Sequence, residues 1–328
     1  MPKITYTLDS AIENFFSEEG TSVSRAECDA FVRQRYGAAA SPVAVQGLSS
    51  YTVIAGIGGD KIIQFRQRDS PLDESMLKIA KAVHGDLVPS CSHLGWNGDL
   101  NGSRLSIYEM NRLPGENYIT TRSELSCSQR HNTVSSLASF SADAWRWFKT
   151  KGHEGADMVT IKAECEARFE HLAKAIPSRF MQTITEIQIA LPPLFDGSYP
   201  MVLTHGDLNE MNILVNPHTG EITGIVDWAE ASIQPFGFAL YALENCLGSM
   251  GPDGWKWFED ADSLRNAFWQ RFTEVAGLSE TQRKLAELAG KAGILLRYGT
   301  AYDAGFSGVL GVRDPMVDDF SYLDALLL

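Results

Sequence analysis

The feature that most restricts the fold is a short stretch between residues 203 and 228, which interrupts a chain whose pattern is otherwise helical beyond residue 113. Two apolar runs, Ile213–Val215 and Ile222–Val226, flank the turn sequence Asn-Pro-His-Thr-Gly, so they predict a β-hairpin. Asp207 and Asn212 precede the first run, and Asp227 follows the second. We therefore expect these three side chains to converge at one end of the hairpin.

Such a group of side chains is suited to phosphoryl transfer. Carboxylate and amide oxygens, here those of Asn212 and Asp227, are ligands that Mg²⁺ accepts together with substrate phosphates. A further carboxylate, here Asp207, can take the proton of an attacking hydroxyl. Alternatively, Asp207 is a turn or N-cap residue, which is the common role of an aspartate in a loop.

The rest of the pattern predicts two domains. Residues 1–111 begin with helices, for which Ser10 and Ser24 have capping-box spacing and Gly37 is a stop signal. A small antiparallel sheet with one packed helix, from about Asp73 to His84, follows. Residues 112–328 are mostly helical and include the hairpin segment 203–228. The predicted strands of the first domain are Val43–Val45, Tyr51–Ile54, Lys61–Arg66, Ser90–Gly95 and Arg104–Met110.

The composition excludes several classes of protein. Forty-one acidic residues against 28 basic ones give a net charge of −13, which argues against binding to nucleic acid or to anionic lipid. Five scattered cysteines without a CxxC pair, no visible signal peptide and no long apolar run predict a soluble, cytoplasmic protein. The chain lacks the HExxH and GxSxG motifs, and the Gly56–Gly59 cluster precedes a strand, as in a hairpin turn.

The hairpin segment resembles the signature of aminoglycoside phosphotransferases and choline-kinase-like enzymes, and the C-terminal part is most similar to uncharacterised fungal members of that family. The resemblance implies a two-lobed, protein-kinase-like α+β fold with the active site in the cleft between the lobes. The residues that carry it are His205-Gly206-Asp207-Leu208, Asn212-Ile213-Leu214-Val215 and Ile225-Val226-Asp227-Trp228.

By this resemblance, the enzyme transfers the γ-phosphoryl group of ATP to a hydroxyl of a metabolite or an aminoglycoside-like acceptor. Asp207 matches the catalytic base, and Asn212 and Asp227 match the Mg²⁺ ligands. His205 matches the residue that supports the catalytic loop.

The resemblance also implies a nucleotide site in the first domain. The loop Gln46–Ser50 lies over the phosphates, with Ser49 and Ser50 supplying donors. The family's lysine in the third strand aligns with Gln64, and Arg66 shares the strand face of Gln64 because side chains alternate. The remaining expected contacts are Glu74 on the helix, or Asp73 if the register shifts, and the backbone of Glu109, Met110 and Asn111 around the adenine.

Two alternatives follow from the differences between this sequence and the pattern of the family. Because Gln64 replaces a cation, the chain could be a pseudokinase, or a repurposed fold that binds a metabolite without transferring phosphate. Trp228, Glu230 and Glu244 could line an acceptor pocket, and an aromatic and acidic pocket would suit a small, amine-bearing alcohol.

Overall fold

The computed structural model describes residues 7–17, 22–37, 39–98, 104–151, 157–251, 253–300 and 320–328. The chain forms two compact units, one of Met1–Lys81 with Val88–Pro114 and the other of Ala82–Leu87 with Gly115–Leu328. The first unit holds an antiparallel sheet and the second is mostly helical, so the fold class is α+β as predicted.

The described residues of the first unit form five strands in the spatial order β1-β2-β3-β5-β4, and all neighbouring strands are antiparallel. Its elements are α1 (Leu8–Ser17), α2 (Arg25–Tyr36), β1 (Ser41–Pro42), β2 (Ser50–Ala55), β3 (Lys61–Arg66), α3 (Glu74–His84, which ends in the second unit), β4 (Cys91–Asn97) and β5 (Leu105–Asn111).

The core of this unit lies between the two N-terminal helices and one face of the sheet. Alternate residues of β2 and β3, including Tyr51 and Phe65, point toward Phe16 and Phe31 on the helices, with ring centroids 5.1 and 5.9 Å apart. Because strand side chains alternate, the other face of β3 carries Gln64 and Arg66. The helical lead-in is therefore part of the core of this unit.

Local hydrogen bonds set the ends of α1 and α2. Ser24 forms the predicted capping box with Glu27, and Gly37 ends α2 with φ +68°. The prediction that Ser10 caps α1 is wrong, because the helix begins at Leu8 and the backbone N–H of Ser10 donates to Thr7 Oγ1 at 3.2 Å.

The first strand also differs from its prediction, since it covers Ser41–Pro42 instead of Val43–Val45. The side chain of Gln46 explains the early end. Its Nε2 donates to the carbonyl oxygens of Val43 and Thr52, and its Oε1 accepts from the backbone N–H of Thr52. The backbone N–H of Val43 still donates to the carbonyl oxygen of Thr52, and beyond this bond the Gln46 amide takes the place of backbone pairing beside β2.

The second unit is built from helices with three small sheets, ordered β6-β8-β9, β10-β7 and β11-β12. Its elements are β6 (Glu116–Asn117), α4 (Tyr118–Thr121), α5 (Cys127–Lys151), α6 (Met158–Ala175), α7 (Met181–Ala190), β7 (Met201–Thr204), β8 (Ile213–Val215), β9 (Ile222–Ile225), β10 (Ser232–Pro235), α8 (Tyr241–Cys246), β11 (Gly248–Gly251), β12 (Gly254–Trp257), α9 (Ala261–Ala276), α10 (Glu280–Gly299) and α11 (Ser321–Leu327).

Apolar side chains of the long helices form the core of this unit. Leu137, Phe169 and Ile187, one from each of α5, α6 and α7, are at most 2 % exposed. The predicted hairpin is confirmed, because β8 and β9 pair antiparallel with Ile213 opposite Ile225. The apolar side chains of the hairpin are buried, so they fix the positions of the polar residues at its end.

Candidate active site

The candidate catalytic loop joins β7 to β8 and begins with a sharp turn at Gly206. This glycine has φ +81°, and a Cβ atom at its position would lie 2.2 Å from the carbonyl oxygen of Glu230. Any other residue would therefore meet both a backbone penalty and a backbone clash. The glycine allows the chain to approach Glu230 closely and to present the next residue, Asp207.

Tyr241 holds the loop on both sides of Asp207. Its hydroxyl donates to the carbonyl oxygen of Gly206 at 3.0 Å and accepts from the backbone N–H of Leu208 at 2.8 Å. The tyrosine lies at the start of α8 and is fully buried, so burial raises its pKa far above the ordinary value. The neutral hydroxyl thus fixes the backbone that carries Asp207.

The carboxylate of Asp207 accepts hydrogen bonds at both oxygens. Oδ1 accepts from Asn209 Nδ2 at 2.8 Å and from Arg297 Nη2 at 2.5 Å. Oδ2 accepts from Asn212 Nδ2 at 3.2 Å. About a fifth of this side chain, 18 %, remains exposed to solvent, so a small acceptor can reach it.

The residues expected to hold Mg²⁺ are connected to this loop by hydrogen bonds of Asn212 and of the residue before Asp227. Asn212 Nδ2 also donates to the carbonyl oxygen of Asp207 at 2.7 Å, and the Asn212 carbonyl accepts from the backbone N–H of Val226, next to Asp227. Asp227 has φ +61° and ψ +64°, and it is the one non-glycine residue with positive φ in the described part of the chain. Strain of this kind is frequent at functional sites.

The donor set of these two residues fits a magnesium ion. The amide nitrogen of Asn212 is used on Asp207, and among the described residues nothing donates to Asn212 Oδ1, the atom that would bind a cation. The described residues contain no group of three His, Cys, Asp or Glu side chains that could hold a metal. One amide and one carboxylate oxygen suit Mg²⁺, which takes its other ligands from water and phosphates.

His205 holds the loop through hydrogen bonds of both ring nitrogens. Its Nδ1 accepts from the backbone N–H of Asp207 at 3.3 Å, and its Nε2 lies 2.8 Å from the carbonyl oxygen of Val226. Only the neutral ring protonated on Nε2 satisfies both contacts. Burial lowers the pKa of His205, which favours this neutral form. The ring thus joins the Asp207 loop to the residue before Asp227.

The predicted acceptor-pocket residues occupy different positions. Trp228 is 2 % exposed, and its ring centroid lies 4.6 Å from that of His205. Its Nε1 donates to the carbonyl oxygen of Ile225, so most of this side chain is occupied by packing. Glu230 is partly exposed and its backbone lies against Gly206.

In the first unit, Gln64 and Arg66 do lie on one strand face, as predicted. Arg66 Nη1 donates to Gln64 Oε1 at 3.2 Å, and Gln64 Nε2 donates to Ser50 Oγ at 3.1 Å. Arg66 Nε and Nη2 donate to the carbonyl and hydroxyl oxygens of Ser70, and the arginine is 3 % exposed. Ser49 lies just before β2, and Glu74 begins α3.

The expected adenine contacts lie within β5. Glu109 and Met110 pair with both β3 and β4, and Asn111 pairs with β3. Part of the backbone hydrogen bonding of these residues is therefore used in the sheet. The carboxylate of Glu109 is hydrogen-bonded by Tyr36, which lowers the pKa of Glu109, and lies 3.5 Å from Lys61. The side chain of Glu109 is thus occupied within this unit.

Two residues that contact the loop were missed from the sequence. Arg297 lies 90 positions after Asp207, near the end of α10, and no local motif marks it. Tyr241 follows the run Phe-Gly-Phe-Ala-Leu, which indicates a turn but not a partner for the loop. Only their packing shows that both contact the same short segment.

Comparisons with known proteins agree with this fold. The structure is similar to the GDP complex of wild-type aminoglycoside 2'-phosphotransferase-IIIa, with a TM-score of 0.54, 13% sequence identity and coverage of 84% of this chain and 91% of that chain. The GDP and kanamycin complex of APH(2")-IIia gives a TM-score of 0.51 at 15% identity, over 82% of this chain and 90% of that chain. At these identities the likeness shows the fold, which is kinase-like. No curated protein matches.

None of the helices in the described ranges is both long and apolar enough to cross a membrane. The model of the phosphotransferase enzyme family matches residues 46–288, which include strands β2 to β5 of the first unit and the whole loop from β7 to β8. The chain therefore belongs to the phosphotransferase enzyme family, whose fold it shares with the aminoglycoside phosphotransferases.

Proposed function

We propose that this protein transfers the γ-phosphoryl group of ATP to a hydroxyl of a small molecule. The observation that carries the proposal is the packed arrangement of Asp207, Asn212 and Asp227 at the end of the hairpin. Asn212 is hydrogen-bonded directly to Asp207, and its backbone pairs with the residue before Asp227. Phosphoryl transfer depends mainly on positioning and charge. These contacts support an assignment in which Asp207 and Asn212 on the loop act together with Asp227, which follows β9.

In the proposed reaction, the acceptor hydroxyl donates a hydrogen bond to the carboxylate of Asp207. The hydroxyl oxygen forms the new bond to the γ-phosphorus while the bond from that phosphorus to the β,γ-bridging oxygen breaks. The acceptor proton passes to Asp207, and ADP leaves. Asn209, through its hydrogen bond to Asp207 Oδ1, keeps the carboxylate oriented during this step.

Asn212 and Asp227 are the proposed ligands of Mg²⁺. When bound, the ion neutralises charge on the phosphates of the nucleotide. The two residues contribute one amide oxygen and one carboxylate. His205 keeps both near Asp207 through its contact with Val226.

The nucleotide is proposed to contact the first unit. Candidate donors are Ser49 and Ser50 of the loop before β2. Gln64 and Arg66 on β3 are further candidates. Ser50 already belongs to the same hydrogen-bond network as Gln64. The other candidates, retained from the family resemblance, are Glu74, Glu109, Met110 and Asn111.

A second candidate function is a pseudokinase that binds a ligand without transferring phosphate. The position of Arg66 favours it, because this cation is 3 % exposed and three of its donor groups bond to Ser70 and Gln64. A guanidinium that is buried and hydrogen-bonded within the protein in this way offers fewer donor groups to a triphosphate than an extended lysine would.

The test compares Asp207→Asn with the control Asp196→Asn, whose carboxylate caps an exposed turn at Ser198. Consumption of Mg·ATP is measured across a broad panel of alcohols, and calorimetry gives the affinity for Mg·ATP. We expect Asp207→Asn to lower turnover by roughly 10²–10⁴-fold with nearly unchanged nucleotide affinity, and Asp196→Asn to behave as the wild type. Nucleotide binding without ATP consumption on any alcohol would favour the pseudokinase.

A further inference from the structure

The protein holds the two carboxylate oxygens of Asp207 unequally. Oδ1 accepts from Arg297 Nη2 at 2.5 Å and from Asn209 Nδ2 at 2.8 Å. Among the described residues, Oδ2 accepts only from Asn212 Nδ2, at 3.2 Å. Each carboxylate oxygen has two lone pairs. Both lone pairs of Oδ1 are therefore used, and one lone pair of Oδ2 remains for a further donor.

The remaining lone pair is on the oxygen nearer to the proposed metal ligand. Oδ2 is hydrogen-bonded to Asn212, which we assign to the site of the nucleotide phosphates. An acceptor hydroxyl that donates to Oδ2 therefore lies beside Asn212. A hydroxyl that donated to Oδ1 would have to displace Arg297 or Asn209. The contacts of the carboxylate thus favour Oδ2 as the oxygen that meets the acceptor.

A basic residue near the end of a helix also has a purely structural explanation. Arg297 lies in the last turn of α10, where a cation interacts favourably with the helix dipole. The dipole explains a positive charge there, but it does not explain a direct contact with a carboxylate 90 positions away. The side chains of Arg297 and Asp207 are 16 % and 18 % exposed, so solvent and salt screen their attraction less than at the surface.

Close packing fixes the position of α10 relative to the catalytic loop. A Cβ atom at Gly293 of this helix would lie 2.0 Å from the carbonyl oxygen of Phe238. The segment that contains Phe238 leads into Tyr241, which holds the backbone on both sides of Asp207. The glycine allows α10 to approach this segment closely, so the same packing supports both Arg297 and the loop.

The charge of Arg297 does something that a neutral donor could not do. Asp207 and the phosphates of the nucleotide are all negative, so the phosphates would repel an unpaired carboxylate. The guanidinium offsets this repulsion while it holds Oδ1. A neutral alcohol at Oδ2 leaves the ion pair intact, because it occupies the other oxygen.

We propose that Arg297 is a positioning residue that holds Oδ1 of Asp207, so that Oδ2 is the oxygen that takes the proton of the acceptor hydroxyl. This role rests on the proposed function and adds to it which oxygen acts as the base. The proton passes from the hydroxyl to Oδ2 while the hydroxyl oxygen bonds to the γ-phosphorus and the bond to the β,γ-bridging oxygen breaks. Arg297 keeps its contact with Oδ1 throughout and does not touch the substrate.

The first experiment uses the full chain with Mg·ATP and two small acceptors, water and methanol, so it does not depend on knowing the natural alcohol. ADP formation gives the rate, methyl phosphate shows transfer to methanol, and calorimetry gives the affinity for Mg·ADP. A displacement of about 1 Å at a reacting group costs on the order of 100-fold in rate, so we expect Arg297→Gln to lower kcat by about tenfold or more. The affinity for Mg·ADP should stay nearly unchanged. Arg297→Lys should recover part of kcat because the charge remains.

Two comparisons separate positioning from a general structural effect. Arg283→Gln is the matched control, since Arg283 lies on the same helix and pairs with Glu287 at the surface, and it should keep the wild-type kcat. In an Asp207→Ala background, adding Arg297→Gln should cause no further loss of rate, because no carboxylate is left to position. Urea denaturation identifies a temperature at which every variant is folded, and the rates are measured there.

The second experiment requires no catalysis. Crystal structures of the wild type, Arg297→Gln and Arg297→Lys show the orientation of the Asp207 carboxylate directly. In Arg297→Gln we expect this carboxylate to turn away from its wild-type orientation or to occupy two conformers, with loss of the bond from Asn212 to Oδ2. Arg297→Lys should keep the wild-type orientation.

Three results would overturn the positioning role. They are a wild-type kcat in folded Arg297→Gln, an equal loss of rate from Arg297→Gln with and without the Asp207 carboxylate, and an unchanged Asp207 orientation in the Arg297→Gln crystal. A failure of the proposed function looks different, since the wild type would then consume no ATP with water, methanol or any other alcohol. In that case the crystal structures still decide whether Arg297 orients Asp207.

Discussion

The substitution Tyr241→Phe removes one hydroxyl group. It should lower the unfolding free energy of the second unit and also lower kcat through a change in the catalytic loop. The hydroxyl serves the carbonyl of Gly206 and the N–H of Leu208, and the tyrosine is 0 % exposed. Water cannot easily replace the lost partner at a buried position. Each unsatisfied backbone group costs about 1–3 kcal/mol, so the variant should lose about 3 kcal/mol of unfolding free energy.

The catalytic effect should exceed what the loss of stability explains. Because the two hydrogen bonds flank Asp207, their loss allows this carboxylate to shift, and a displacement of about 1 Å at a reacting group costs on the order of 100-fold in rate. We therefore expect kcat to fall by at least tenfold at a temperature where the variant remains folded. Urea denaturation measures the stability, and ATP consumption with the best acceptor measures kcat.

Tyr199→Phe is the matched control. Tyr199 is also buried, and its hydroxyl donates to one backbone carbonyl, that of Phe236, away from the catalytic loop. This variant should lose about 1–2 kcal/mol and keep its kcat. If Tyr241→Phe proved as stable and as active as Tyr199→Phe, the view that Tyr241 positions the loop would be refuted.

Three further predictions concern the surroundings of the loop. Gly206→Ala should lower the unfolding free energy by at least about 2 kcal/mol, since it combines a positive φ with a clash against Glu230. Arg122→Met should cost about 3 kcal/mol, because it leaves the buried carboxylate of Glu210 without its partner. His84 is buried and its pKa is lowered to about 3 by desolvation, so below pH 6.5 the unfolded chain takes up a proton that the folded chain does not. The contribution of His84 to the unfolding free energy is therefore complete above pH 6.5 and is lost as the pH falls. Between pH 7 and pH 5 this group should lower the unfolding free energy by about 2 kcal/mol. Urea titrations at the stated pH values measure all three.

Each of these has its own comparison. Gly197 has φ +86° with open space around a Cβ atom, so Gly197→Ala should cost less than Gly206→Ala. Adding Glu210→Gln to Arg122→Met should recover part of the lost stability, and no recovery would contradict the buried-charge explanation. The unfolding free energy of His84→Leu should fall less between pH 7 and pH 5 than that of the wild type, by the amount given above. Equal dependence of the two unfolding free energies on pH would show that His84 does not resist protonation.

Local patterns were sufficient for the elements that local physics fixes. The alternating strand sequences, the capping box at Ser24 and the apolar stripes of the long helices all appear in the structure. The hairpin at residues 213–225 was predicted because its two apolar runs and its turn are adjacent in sequence. The bounds of the first strand were not predicted, because beyond Val43 the side chain of Gln46 bonds to the backbone of Thr52 where strand pairing was expected. Side-chain competition of this kind leaves no periodic signal.

The order of residues alone was sufficient to select the three groups that we propose for phosphoryl transfer, because Asp207, Asn212 and Asp227 flank one hairpin. Tertiary structure decided what surrounds them. Arg297 reaches Asp207 across 90 positions only because α10 packs beside the loop, and burial turns Trp228 into a packing residue. Contacts between distant elements depend on how whole surfaces fit, so neither spacing nor composition contains them.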